Sequence, residues 1–129
     1  PSRNCNRISR CATSKTSAGL SRWFHSFAII MEGYSPILAH PERYPYYYGN
    51  YKMYHHLADL GFMLQVNLLS LTGYYGKEAY KVAHYLLKND LVSYVGTDMH
   101  HDRHLNALTD KRNRTAFHKA LSHRNWNLI

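Results

Sequence analysis

Three short apolar runs, each leading into a residue suited to chemistry, constrain this chain more than any other feature. Pro36-Ile37-Leu38-Ala39 leads into His40, Phe62 to Val66 into Asn67, and Leu91 to Val95 into Gly96-Thr97-Asp98. Runs this short, bounded by Gly, Pro and polar residues, read as buried strands rather than helices. Between them lie helical patterns. Tyr51 to Leu60 is followed by Gly61, a natural helix stop, and Lys77 to Lys88 sets Ala79, Val82, Ala83, Leu86 and Leu87 on one face. Strand, loop and helix in repeated alternation specify an α/β fold with parallel strands. In such folds chemistry gathers at the carboxyl ends of the strands, where His40, Asn67 and Asp98 all fall.

The remaining segments fit around this frame. Trp23, Phe24, Phe27, Ile30 and Met31 recur at helical spacing before Gly33, which predicts a short amphipathic helix over Trp23–Met31. Pro41 and Pro45 make the intervening stretch a loop. Leu68 to Gly76 reads as a second loop, and His104 to Leu108 and Thr115 to Leu121 read as helices. Residues 1–25 are rich in Ser, Arg, Asn and Thr without a sustained apolar pattern and are expected to form an irregular or disordered basic arm. Residues 26–129 are then the folded part.

Composition narrows the function classes. At 129 residues and 45% hydrophobic content, the chain is one domain's worth or less, with enough apolar residues for a core. It has no run of about 18 apolar residues, so no membrane span is expected. The N-terminal residues lack the apolar stretch of a signal peptide, which makes a cytoplasmic location the expectation. The formal charge of +8 is concentrated in Arg3, Arg7, Arg10, Lys15 and Arg22, and in Lys111, Arg112, Arg114, Lys119 and Arg124. Solvated basic ends account for this more simply than nucleic-acid binding. Cys5 and Cys11 lack nearby Cys or His partners for zinc. Neither is followed six residues later by the Arg that a cysteine-based tyrosine phosphatase places beside its phosphate-binding loop, so that chemistry is excluded.

The strand ends carry the chemistry instead. An Asp just past a strand with a His two residues on, as in Asp98-Met99-His100, puts a carboxylate and an imidazole on one rim, and both ligate zinc, iron or manganese. His101 and His104 raise the density of ligands there. Taken singly, the Asp-x-His pair and His40 are weak signals, read more often as capping or hydrogen-bonding residues than as ligands. Tyr44, Tyr46, Tyr47 and Tyr48 either line an aromatic wall for a phenolic ring or pack at an edge, and Tyr74 and Tyr75 carry the same ambiguity. His55, His56, His84, His118 and His123 fall on helices away from the strand ends and read as packing or solvent-facing residues. Arg43 is either a phosphate clamp or an ion-pair partner of Glu42 or Asp59.

In combination these motifs are specific. Gly33-Tyr34-x-Pro36, Ala39-His40-Pro41-Glu42-Arg43-Tyr44, Gln65-Val66-Asn67, Ser70-Leu71-Thr72-Gly73 and Gly96-Thr97-Asp98-x-His100 occur in the order and spacing of the PHP (polymerase-and-histidinol-phosphatase) superfamily. Over roughly residues 28 to 121 the chain most resembles its bacterial manganese-dependent protein-tyrosine phosphatases of capsule and exopolysaccharide biosynthesis. The resemblance implies a distorted (β/α) barrel, here a partial one, and a metal cluster, manganese with iron or zinc as options. It makes His40, Asp98 and His100 metal ligands and Arg43 and Arg103 phosphate contacts. The implied substrate and partner is a tyrosine-phosphorylated protein, a capsule-assembly tyrosine kinase.

The chain departs from that family in two respects. No His-x-His occurs anywhere, and Glu32, the only acidic residue before His40, lies outside the position of the family's bridging carboxylate. A full β/α barrel takes roughly 200 residues or more. The expectation is therefore the C-terminal half of the phosphatase domain, truncated and weakly active or inactive. Two readings stand beside it: a small-metabolite phosphatase of the histidinol-phosphatase type, and a non-catalytic basic binding module that kept the fold.

Overall fold

The computed structural model describes residues 26–126. Residues 26–31 form a helical segment (α1), the described part of the helix predicted from Trp23. Strand β1 (Ile37–Ala39) follows, then two 3-10 turns at Pro41–Arg43 and Pro45–Tyr47, and helix α2 (Tyr51–Asp59). Strand β2 (Met63–Asn67), a 3-10 segment at Leu68–Thr72 and helix α3 (Lys77–Lys88) come next. The order closes with strand β3 (Val92–Gly96) and helices α4 (Asp102–Thr109) and α5 (Lys111–Leu121). Residues 1–25, where the basic arm is expected, lie outside the described residues.

The three strands make one parallel sheet in the order β1-β2-β3. Its register sets Ala39 beside Gln65 and Asn67 beside Gly96, with an irregularity between Leu64 and Gln65. Parallel neighbours need a crossover, and α2 and α3 provide the two. The carboxyl ends of all three strands therefore fall on one rim.

Burial follows the apolar pattern. Leu57 of α2, Leu64 and Val66 of β2, Val82, Ala83 and Leu86 of α3, and Val92 and Val95 of β3 are buried together in one core. Each such side chain taken from water stabilises the fold by about 1.5–3 kcal/mol. Helix α2 stops where Gly61 takes a φ of +96°, a left-handed conformation that suits a residue without a Cβ. Among the described residues, no helix is long and apolar enough to cross a membrane.

Some boundaries differ from expectation. Leu68–Thr72 is not an open loop but a 3-10 segment that buries Leu69, Ser70 and Leu71. Helices α4 and α5 begin at Asp102 and Lys111, earlier than the apolar residues indicate, because polar first turns carry no apolar periodicity. They are separated by Asp110, whose carboxylate accepts hydrogen bonds from the backbone N–H groups of Arg112 and Asn113 and so starts α5. In the C-terminal basic run, Arg124 is tied to the fold, donating to Asp90 and to the Val92 carbonyl and stacking on Trp126.

Candidate metal and phosphate site

Strand β1 is only three residues long, yet its end is firmly placed. The His40 N–H donates to the Gln65 carbonyl at 2.8 Å, which carries the β1–β2 ladder one residue past the strand. His40 then turns into the left-handed region (φ 40°), and Pro41 starts a 3-10 turn. A non-glycine residue there costs of order 1 kcal/mol or more. Asp98, two residues beyond β3, is also left-handed (φ 47°). Both predicted ligands on the two outer strands thus sit at backbone kinks on the same rim.

The turn after His40 is locked from below. Glu42 is fully buried, and one carboxylate oxygen accepts from the Asn67 N–H at 3.0 Å and from the Ser70 hydroxyl at 2.6 Å. Its other oxygen has no partner. Burial pushes the Glu42 carboxyl up to about 7, against the opposing pull of its hydrogen bonds to Ser70 and Asn67. Glu42 therefore fastens the His40–Arg43 turn to β2 and the segment after it.

Arg43 is thereby aimed across the rim. Its Nη1 donates to Asp98 Oδ2 at 3.0 Å, and its guanidinium lies 4.1 Å over the Tyr75 ring. The ion pair joins Arg43 to Asp98, not to Glu42 or Asp59. Asn67 Nδ2 donates to the same Asp98 oxygen at 3.1 Å, and Gln65 Nε2 donates to Asn67 Oδ1 at 2.9 Å. The Gln65–Asn67–Asp98 relay holds one carboxylate oxygen and leaves the other facing His100, whose Nδ1 is 3.8 Å away.

His40 has its own signature. Its Nδ1 is buried without a hydrogen-bond partner. Burial, reinforced by Arg43, holds its pKa below the usual imidazole range despite the opposing charge of Asp98. Neutral imidazole is the form that binds a cation. His100 Nδ1 lies 2.7 Å from the Asp98 carbonyl oxygen, so this nitrogen carries the proton and Nε2 keeps its lone pair. Arg103 is exposed on the first turn of α4.

The tyrosines divide. Tyr47 is buried in the core, Tyr44 donates to the Ala39 carbonyl at 3.0 Å and stacks on Tyr46, and Tyr46 is exposed. Tyr74 and Tyr75 meet the ring of His104, and Tyr75 also carries Arg43. His55 and His84 pack, the first against the Tyr85 hydroxyl and the second against the Leu71 carbonyl. The roles of Glu42 and Ser70 lie beyond what the residue pattern predicts: a lone carboxylate in a loop reads as solvated, and only its burial reveals the anchor.

The rim of parallel strands thus carries His40, the relayed Asp98 and Arg43 together. Residues 24–121 match the family described as "Capsular polysaccharide synthesis, CpsB/CapC", and the chain belongs to it. It is 40% identical over 78 residues to the tyrosine-protein phosphatase CpsB of Streptococcus pneumoniae, covering 56% of this chain and 32% of that protein. It is 33% identical over 70 residues to the tyrosine-protein phosphatase YwqE of Bacillus subtilis (strain 168), covering 54% of this chain and 28% of that one. The chain thus matches about a third of the length of these relatives. Its fold is that of the solved YwqE and CpsB structures, described as unique metal-dependent tyrosine phosphatases. The TM-score is 0.55 at 23% identity, covering 89% of this chain and 51% of the solved one.

Proposed function

We propose that this chain carries the C-terminal part of a metal-dependent protein-tyrosine phosphatase, with residues 26–126 as later units of a (β/α) barrel. The observation that carries the reading is the interlock of Arg43, Asp98 and Asn67 beside the unpartnered Nδ1 of His40. The similarity to CpsB and YwqE supports it.

In this reading His40, Asp98 and His100 hold a divalent cation, manganese in the first instance and iron or zinc as options. The donor types suit that role; among the described residues, however, the three ligand atoms that converge within 4.8 Å are those of His100, His101 and His104, so His40 would have to close on the Asp98–His100 pair as the ion binds. His40 offers a buried imidazole nitrogen with no other use, Asp98 an oxygen not taken by Arg43 or Asn67, and His100 its Nε2. A bound divalent ion lowers the pKa of its water towards 7 and so supplies hydroxide at neutral pH.

The residues do the rest. Arg43 spends one of its five N–H donors on Asp98 and directs the others at a phosphoryl oxygen, a planar fork that Lys does not reproduce. Arg103 supplies a second contact from the first turn of α4, where the helix end also favours an anion. Tyr75 fixes the guanidinium plane. A phenolate is a fairly good leaving group, so a dedicated strong general acid is less essential than for an alkyl phosphate. The substrate is then a tyrosine-phosphorylated protein of capsule assembly, a tyrosine kinase in the cytoplasm.

The test is hydrolysis of a phosphotyrosine peptide by chelator-stripped protein resupplied with Mn2+, beside Asp98→Ala. Metal-dependent release in the parent chain and none in the variant is the expected result. Equal rates in the two overturn the reading, and preference for an alkyl phosphate would assign a small-metabolite substrate.

A further inference from the structure

Beyond that ligand set, His100, His101 and His104 offer ligand nitrogens that all lie within 4.8 Å of one another. The three rings are mutually packed, with centroids 4.0, 4.6 and 4.7 Å apart. We propose that these three histidines form a second metal site, sharing His100 with the first and selective for an imidazole-preferring ion of the zinc type rather than for manganese.

Three observations carry this. First, His104 is buried at 5% exposure, yet its Nδ1 has no hydrogen-bond partner. A buried imidazole nitrogen is normally satisfied, and a ligand would satisfy it. Second, His100 donates its Nδ1 proton to the Asp98 carbonyl, the outer hydrogen bond that typically orients a metal-binding histidine and leaves Nε2 as the donor atom. Third, His101, the extended residue that caps α4, brings its ring to 4.7 Å from that of His104 in the first turn.

The chemistry selects the ion. Three imidazoles with a fourth position open to water is a common zinc arrangement, whereas manganese and magnesium take mainly oxygen ligands. Zinc–nitrogen distances of about 2.1 Å require the nitrogens to approach to roughly 3.4 Å in a tetrahedral site. His104 is held by Tyr74 and Tyr75, while His100 and His101 are exposed and close that gap by side-chain rotation. Asp102 in the first turn of α4 and Asp98 supply negative charge against the positive helix end. His100 belongs to both ligand sets, so occupation of one weakens the other.

Titration of the chelator-stripped protein with Co2+, read by visible absorption and followed by Zn2+ competition, tests this without any activity measurement. One Co2+ of tetrahedral character is expected. His101→Ala should weaken it at least about tenfold, since even loss of an outer partner costs that much. This variant leaves α4 intact, because His101 makes no side-chain capping bond. His104→Gln should weaken Co2+ binding similarly, while His40→Ala and the exposed control His123→Ala should shift it by less than about threefold. Three results would overturn the proposal: no uptake, an equal loss in His123→Ala, or a loss in His40→Ala with His101→Ala unaffected. The last would leave the phosphatase ligand set standing alone.

Discussion

Arg43 Nη1 and Asp98 Oδ2 meet at 3.0 Å across 55 residues of chain, joining the loop after β1 to the loop after β3. Each side chain is about one-third exposed, so the pair adds at most about 1 kcal/mol to stability. Arg43→Lys is therefore expected to leave thermal stability nearly unchanged. The same variant should lose the planar fork and weaken inorganic phosphate binding by roughly tenfold or more. Melting and phosphate titration, read together, check the separation; a large fall in melting temperature would make Arg43 structural.

Glu42 gives the stability a pH slope. Its folded-state carboxyl is raised to about 7 from an ordinary 4.5, so between those values the folded chain holds the proton more tightly than the unfolded chain. The stabilisation is complete below about 4.5 and is lost as pH rises through about 7. In chelator-treated protein, Glu42→Gln keeps an acceptor for Asn67 and Ser70 and removes the buried charge. It should melt near the parent at pH 5 and several degrees above it at pH 8. Parallel curves at both pH values would show that Glu42 does not titrate in this range.

Gly96→Ala tests the relay behind Asp98. A Cβ there would stand 2.5 Å from Gln65 Nε2, the nitrogen that holds Asn67 Oδ1. The amide is the far end of a flexible side chain, so it swings away at a cost of about 1 kcal/mol or less. Asn67 then loses its orienting bond and Asp98 its second donor. A small change in denaturation midpoint with a marked loss of metal affinity is expected; unchanged affinity would mean the relay is dispensable.

Asp110→Ala removes the cap of α5 and should cost about 1 kcal/mol. Metal uptake should not change, since Asp110 lies outside the rim. Urea denaturation measures the first effect and Co2+ titration the second.

The parallel alternation, the core face of α3 and the placement of His40, Asn67 and Asp98 at strand ends were legible in the residues, because short apolar runs and helical spacing are local signals. Arg43 stood out through the motif, but its partner did not. Ion pairing over 55 positions depends on which loops meet, and two nearer carboxylates, Glu42 and Asp59, are equally plausible from the chain alone. The early starts of α4 and α5 leave no apolar signal in the residues, because their first turns are polar. The dense histidines after Asp98 were visible as ligands in number, while their convergence depends on the helical start of α4.

His40 and Asp98 share a left-handed backbone, and that shared geometry has a price. Glycine at either position would relieve the kink, so His40→Gly and Asp98→Gly are candidates for a sturdier scaffold with an emptied rim. Durability and chemistry would then pull in opposite directions at the same two Cα atoms.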